Sequence, residues 1–323
     1  MNIFLLFIFF FILFALEFLY FKIADKYNII DHPNHRSSHT KVTIRGGGII
    51  FPIGFLLGAF YLKAEYSCFL AGLLLISFIS FRDDIKPTSR RLRILFHLTA
   101  VALLFYQLGM YNISWYGILL GFVFAIGTIN AVNFMDGING ITGGYGLITL
   151  LTLYYINKQI ILFTDGKYLI ICITSLLVFN FFNFRIKAKC FAGDVGSVSL
   201  AFIILFFLLQ LILKTGNLNY LLLLLFYGLD TSTTILFRLF RKENVFDAHR
   251  SHFYQFLVNE QKMPHLGVAA LYVFIQLIIN VILINFFPSS IVSLVLTMVF
   301  AMITFILIRL IAEGPRRLFN SKT

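Results

Sequence analysis

Charge is what this sequence has least of: Asp, Glu, Lys and Arg together make up 12% of its 323 residues. Soluble domains carry about 25%, so there is too little charge here to coat a water-facing surface, and a soluble globular protein is excluded. Cysteine is scarce as well. Cys68, Cys172 and Cys190 lie in or beside apolar runs, with no Cys-x-x-Cys pair and no nearby histidine ligand set. Neither a disulfide framework nor a zinc site is indicated by that pattern. There is a single tryptophan, no internal repeat, no long polar linker and no separable soluble segment. What fills the chain instead is hydrocarbon: 59% apolar residues, 40 phenylalanines and a mean hydropathy of +0.90. The sequence is that of an integral membrane protein, one domain over residues 1–323, all-α, with the lipid bilayer as its solvent.

A transmembrane helix takes about 20 apolar residues, with a range near 17–25. Eleven apolar segments recur between short polar breaks, at 2–21, 46–62, 66–81, 94–110, 115–134, 140–163, 168–184, 198–213, 218–236, 266–287 and 291–311. The first lacks a basic leader and a small-residue cleavage site and reads as a retained helix. The second and third are short enough to form a re-entrant hairpin, which returns the chain to the same side as two crossings would.

The net charge of +12 fits membrane topology better than nucleic acid, which is not expected as a partner. With the first helix ending inside, the inner loops are 22–45, 82–93, 134–139, 185–197 and 237–265, followed by the C-terminal end. On that side fall 22 of the 26 Lys and Arg, leaving Lys63, Lys158, Lys167 and Lys214 outside. The positive-inside rule then places the N-terminus outside and the C-terminus in the cytoplasm. Six of the seven histidines and nine of the fourteen carboxylates lie in the same inner loops, which describes a site at one membrane surface and not a pathway through the bilayer.

Each inner loop carries its own chemistry. Asp83 and Asp84 follow Phe81-Arg82; on a helix end they diverge by about 100°, so one can face a metal or substrate while the other acts as a base or holds a cation. The pair alone is also compatible with a solvated helix terminus. Asn130, Asn133 and Asp136 are spaced to share a helical face at the mouth of an apolar helix, followed by Gly137, Asn139 and Gly140. Such a stripe is costly in a membrane unless it binds something or hydrogen-bonds between helices. Gly193-Asp194-Val195-Gly196-Ser197 precedes another apolar run, with Ser197 as the expected N-cap, free backbone N–H groups to attract an anion and Asp194 beside them. Oxygen ligands without thiolates favour Mg²⁺, with Mn²⁺ as the substitute. His249, Arg250 and His252 suit phosphate or sugar recognition, with a basic cluster facing anionic headgroups as the alternative. In the first loop Asp31-His32-Pro33-Asn34 leads through Arg36, His39 and Arg45 into Gly46-Gly47-Gly48.

In this order, across nearly the whole chain, the loops resemble the polyprenyl-phosphate N-acetylhexosamine-1-phosphate transferases, the superfamily that includes MraY, WecA and WbpL. The motifs carrying the resemblance are Asp31-x-Pro33-Asn34 with Arg36, His39 and the three glycines, the Asp83-Asp84 pair, Asn130-x-x-Asn133-x-x-Asp136-Gly137-x-x-Gly140, Gly193-Asp194-x-Gly196-Ser197, and the late histidine loop. The form His249-Arg250-Ser251-His252-x-Tyr254-Gln255 looks most like the WbpL-type subgroup that initiates O-antigen synthesis. The triple histidine of the MraY branch is absent. Val42 and Ile44 stand where the family often has prolines, Asn139 where it has Asp, and arginines follow Asp83-Asp84 where it has Lys.

The resemblance implies transfer of an N-acetylated (deoxy)hexosamine 1-phosphate from a UDP-sugar to undecaprenyl phosphate, releasing UMP, at the cytoplasmic face of a bacterial inner membrane. It implies Mg²⁺ on Asp194 and Asn133, and Asp83 or Asp84 as the catalytic carboxylate. Asn130, Asp136 and Asn139 would lie on the nucleotide side, and His249, Arg250, His252, Arg36 and His39 around sugar and phosphates. A covalent phospho-aspartate at Asp83 or Asp84 is the competing route. UDP-GlcNAc or a peptidoglycan precursor is the alternative donor, a homodimer is left open as an assembly, and a multi-pass transporter is the reading from another class. A transporter would call for ionisable groups at the bilayer midplane; Glu17 and Asp230 are the main candidates within the apolar runs.

Overall fold

The computed structural model describes residues 2–31, 42–63, 66–245, 247 and 249–320. Among these the chain is helical almost throughout. The elements are α1 (Ile3–Lys26), a two-residue antiparallel pair β1 (Ile30–Asp31) and β2 (Thr43–Ile44), α2 (Ile50–Leu62), α3 (Ser67–Ile85), α4 (Arg90–Gln107), α5 (Trp115–Met135), α6 (Ile141–Gln159), α7 (Gly166–Asn183), α8 (Gly193–Thr215), α9 (Leu225–Phe240), α10 (Phe253–Asn259), α11 (His265–Phe286), α12 (Ile291–Glu313) and α13 (Pro315–Phe319). The protein is an all-α polytopic membrane protein.

Every one of the eleven apolar segments is helical. Seven helical stretches among the described residues are long and apolar enough to cross a membrane: α1, α5, α7, α8, the stretch 218–240, α11 and α12. At 13 residues, α2 is about 20 Å long and falls short of a hydrocarbon core about 30 Å thick. The segment 218–240 is not one α-helix. It begins as a 3₁₀ turn, Leu218–Leu224, and Gln276 of α11 satisfies the break by accepting from the Phe226 N–H and donating to the Leu222 carbonyl, both at 3.0 Å.

Burial sorts these helices by position. Within α8 the apolar window is 94% buried, whereas α12 buries 11% of its window and α1 17%. α8 is therefore the central post, packed by α2, α3, α5 and α6. The phenylalanines supply much of its packing: Phe69 stacks on Phe206 with ring centroids 3.9 Å apart, and Phe202 and Phe55 extend the cluster. Without a hydrophobic drive between helices in lipid, such contact area and small-residue approaches hold the bundle together.

The helices alternate in direction, so the ends of α1, α3, α5, α7 and α9 gather with the starts of α4, α6, α8 and α11 at one end of the bundle. The triple glycine serves this gathering. Gly47 and Gly48 donate to the carbonyls of Phe191 and Ala192 at 2.8 and 3.0 Å, and Phe191 donates to Ile44 at 2.8 Å, forming a short ladder beside the start of α8. A Cβ on Gly48 would lie 2.3 Å from the Cα of Gly196. Close backbone packing, and not room for a ligand, is what the glycines provide.

Candidate functional site

The α3–α4 connection, the start of α8 and the approach to α2 converge on a cluster of three carboxylates and two guanidinium groups. The Asp84 side chain has no solvent exposure. Its Oδ1 accepts from the Asp194 N–H at 2.8 Å and its Oδ2 from the Val195 N–H at 2.9 Å, while Arg45 Nε donates to Oδ1 at 2.7 Å. The N–H groups expected to attract a ligand anion are thus occupied by the protein's own carboxylate, placed where the helix dipole favours it. Ser197 is not the N-cap. The helix starts at Gly193, whose φ of +71° suits glycine alone, and the Ser197 hydroxyl lies one turn in, donating to Asn133 Oδ1 at 2.7 Å.

Asp83 diverges from Asp84 as the helical spacing requires. It accepts from the Thr88 N–H at 2.5 Å and from Arg93 Nη1 at 3.0 Å. Burial acts to raise its carboxyl, but a hydrogen bond shared with Asp194, the Thr88 N–H and the Arg93 charge outweigh it and hold the group below the usual carboxylate range. Asp194 lies between the guanidinium groups, 3.3 Å from Arg45 Nη2 and 3.8 Å from Arg93 Nη1.

Beside this cluster opens a cleft of about 210 Å³ lined by Asp31, Arg45, Asn133, Asp136, Gly137, Ile138, Asn139, Asn183, Phe191, Gly193, Asp194, Gln255 and His265. The inner loops supply all of these except Asn133 and Asn183, which stand on the last turns of α5 and α7. α5 ends at Met135, so Asp136 is its C-cap and Asn133 and Asp136 both face the cleft. Burial pushes the Asp136 carboxyl up to about 7, with the Asp84 charge adding to the rise and Arg45 opposing it. Asn139 donates to the carbonyls of Arg185 and Ile186 at 3.0 and 3.3 Å, tying its turn to the 185–192 loop. Asn183 bridges the same elements, accepting from the Gly140 N–H and donating to the Cys190 carbonyl, both at 2.8 Å.

The remaining expected site residues are placed elsewhere. Asn130 lies one turn deeper on α5, its amide donating to the Ile126 carbonyl at 2.9 Å, and it does not line the cleft. The 249–252 segment is not helical. His252 is the N-cap of α10 in a capping box with Gln255, is buried, and turns its Nδ1 to within 3.4 Å of Asp230 Oδ1. His249 packs against His252 and Phe134, and burial, with the charges of His252 and Arg238 adding to it, pushes its imidazole down to about 3, so it is neutral near pH 7. His249, Arg250 and His252 do not line the cleft. Gln255, from the same loop, does. Arg36 and His39 lie outside the described residues.

Sequence reasoning did not single out Arg93, Asn183, Gln255 and His265, and gave Arg45 no role. Arg45 had a signal in its position directly before the three glycines. Gln255 had a signal as the last residue of the histidine-loop motif, and Asn183 had none, because polar residues at helix ends are ordinary until their partners are known.

The candidate metal donors at the cleft are oxygens, the type that suits magnesium. Among the described residues no group of three or more His, Cys, Asp or Glu could hold a metal ion. Asp194, Asn133 and Asp136 nonetheless all line the cleft with side-chain oxygens, which could serve an ion completed by substrate phosphates and water and not caged by protein.

Residues 66–212 match the model of glycosyl transferase family 4, a little under half of the chain. The matched stretch runs from the start of α3 through most of α8 and contains Asp83, Asp84, Asn133, Asp136, Asn139 and Asp194. The match supports the polyprenyl-phosphate sugar-1-phosphate transferase superfamily, and with it sugar-phosphate transfer to a lipid carrier. It stops before the histidine loop and so does not reach the feature that distinguishes a WbpL-type subgroup. No curated protein matches the chain.

Proposed function

We propose that the protein transfers the sugar 1-phosphate of a UDP-linked N-acetylated (deoxy)hexosamine to undecaprenyl phosphate, at the cytoplasmic face of a bacterial inner membrane, as the first step of O-antigen or related envelope polysaccharide synthesis. The observation that carries this reading is the cleft itself. It brings Arg45, Asn133, Asp136, Asn139 and Asp194 from separate loops to one end of an apolar bundle, where a water-soluble nucleotide and a lipid headgroup can meet.

In the reaction an oxygen of the lipid phosphate attacks the sugar-bearing phosphorus of the donor. A new phosphoanhydride forms, the bond to the inner phosphate breaks, and UMP leaves. The difficulty is repulsion between two anions, which calls for fixed positive charge along the path. Arg45 and Arg93 stand beside the path but are paired with Asp83, Asp84 and Asp194, so much of the positive charge falls to a bound cation. Asp194 and Asn133 would hold Mg²⁺ or Mn²⁺ on the donor diphosphate, with Asp136 close by; such an ion neutralises phosphate charge. Asp84 is committed to the start of α8 and to Arg45, which leaves Asp83 as the member of the pair that orients the acceptor phosphate. Its low proton affinity suits an ionised group that arranges Arg93 better than a strong base. Asn139 shapes the nucleotide side, and the 249–252 loop supports the wall to which Gln255 belongs.

The test is UMP release by detergent-purified protein given undecaprenyl phosphate, Mg²⁺ and a panel of UDP-N-acetylhexosamines. Release with one donor, abolished by EDTA, restored by added Mg²⁺ and lost in a folded Asp194→Asn variant, is the expected result. Turnover at the wild-type rate in that variant removes Asp194 from the site. Folded protein that is silent across the panel overturns the reaction.

A further inference from the structure

One densely bonded charged group lies outside the cleft. Asp230, on α9, has no solvent exposure. Its Oδ1 accepts from the Phe253 N–H at 2.8 Å and from the Thr234 hydroxyl at 3.2 Å; its Oδ2 accepts from the Tyr254 N–H at 3.2 Å and from the Tyr272 hydroxyl at 2.7 Å. His252 Nδ1 stands 3.4 Å away and Arg309 Nη1 4.0 Å. Burying a carboxylate this completely is costly, and a hydrophobic pair would serve stability as well. The geometry shows what the charge achieves: it holds the first turn of α10. That helix has seven residues, too few to persist unaided, and the N–H groups at its start are taken by a side chain from another helix.

Arg309 holds the same segment from the other side. α12 faces mostly outward, yet Arg309 is only 1% exposed. Its Nη2 donates to the Ser251 carbonyl at 2.8 Å, its Nη1 to the hydroxyls of Thr233 and Thr234 at 3.0 and 2.8 Å, and its Nε to Glu313 at 2.5 Å. Glu313 in turn pairs with Arg317. A carboxylate therefore grips the N–H groups after His252, and a guanidinium grips the carbonyl before it.

The gripped segment leads directly to the cleft. Gln255 lines it, and the Tyr254 hydroxyl donates to the Phe134 carbonyl at 3.1 Å, one residue from Asn133. A Cβ on Gly137 would lie 2.1 Å from that hydroxyl oxygen, so the Asn133–Asp136 turn and Tyr254 are fitted to one another.

We propose that Asp230 and Arg309 are a pair of positioning residues, a charge clamp that fixes residues 251–255 and thereby sets the cleft wall formed by Gln255 and the α5 C-terminal turn. Neither lines the cleft. The kinetic part rests on the cleft being the donor site; the clamp itself does not.

The test uses the full chain in detergent, with hydrogen exchange of the 249–259 amides followed beside turnover. In Asp230→Asn, exchange over 249–259 is expected to quicken at least tenfold while α8 stays as protected as in the wild type. KM for the UDP-sugar should rise roughly 10- to 100-fold, the scale of losing a hydrogen bond to a charged group. Gln255→Ala should raise KM as well, and the double variant should be no worse than Asp230→Asn alone, because the first change has already released what the second removes. Arg309→Gln should release the same amides, and Tyr272→Phe, which deletes one bond to Asp230, should do so more weakly, so the proposal stands testable even where Asp230→Asn does not fold. Exchange that quickens equally in α8, or not at all, overturns the clamp. Additive effects of Asp230→Asn and Gln255→Ala, or an unchanged KM, overturn its link to the cleft. Wild-type protein that releases no UMP from any donor defeats the transferase reading instead, and the exchange results still decide the clamp.

Discussion

Asp136 is the residue at which the electrostatics of the cleft are most exposed to measurement. It caps α5 beside Asp84 and Asp194, and with its carboxyl near 7 it keeps a proton that an unfolded chain would release near the ordinary value of 3.8. Below 3.8 both states are protonated and the group contributes nothing to pH dependence. Between 3.8 and about 7 the folded state binds the extra proton, so stability falls as pH rises through that window and levels off above it. Asp136→Asn removes this slope. The melting temperature of the wild-type protein in detergent is expected to drop more steeply from pH 4 to pH 7 than that of the variant, and parallel curves would mean that Asp136 titrates as an ordinary exposed carboxylate. Asp84 shows why such roles were only partly legible. Paired carboxylates at a helix end announce chemistry, but nothing in Asp83-Asp84 says that one of them turns inward to hold the start of a helix 110 residues further along the chain.

At the scale of elements, the start of α8 depends on glycine. Gly48 and Gly196 meet backbone to backbone, and the contact fixes the distance between Arg45 and Asp194. Gly48→Ala is expected to cost about 1–3 kcal/mol through overpacking and to displace the guanidinium cluster, lowering turnover as well as the melting temperature. Gly127, in the interior of α5, has nothing within 4 Å of the place a Cβ would take. There the same substitution should be neutral or stabilising by about 0.5–1 kcal/mol, with unchanged turnover. Equal effects at the two positions would show that helix propensity and not contact governs them. The helices themselves were readable from the sequence because apolar length is a strong local signal in a membrane protein. The 3₁₀ start of 218–240 and the cap of α10 were not readable, since Gln276 and Asp230 act across 50 and 23 residues of chain. His249 and His252 looked like helical neighbours for the same reason: spacing states where residues would lie on a helix, not whether the segment is one.

For the whole molecule, the question that length and burial leave to experiment is which face of the membrane carries the cleft. The cleft opens at the end of the bundle where the inner loops hold 10 of the chain's 13 arginines, whereas Lys158 and Lys167 lie at the far ends of α6 and α7, about 28 Å away along a 19-residue helix. The skew of Lys and Arg supports the proposed placing of the cleft end in the cytoplasm. Cys172 and Cys190 are buried and Cys68 is only partly so, so a Cys68→Ser background leaves little native thiol to react. In that background Lys158→Cys is expected to react with a membrane-impermeant maleimide in intact cells. Asp247→Cys, close to the cleft end, should react only after permeabilisation. This order fits a nucleotide donor made in the cytoplasm, which can reach the cleft without crossing the bilayer. The reverse order would place the cleft outside, away from any supply of UDP-sugar, and would overturn the proposed reaction together with the topology.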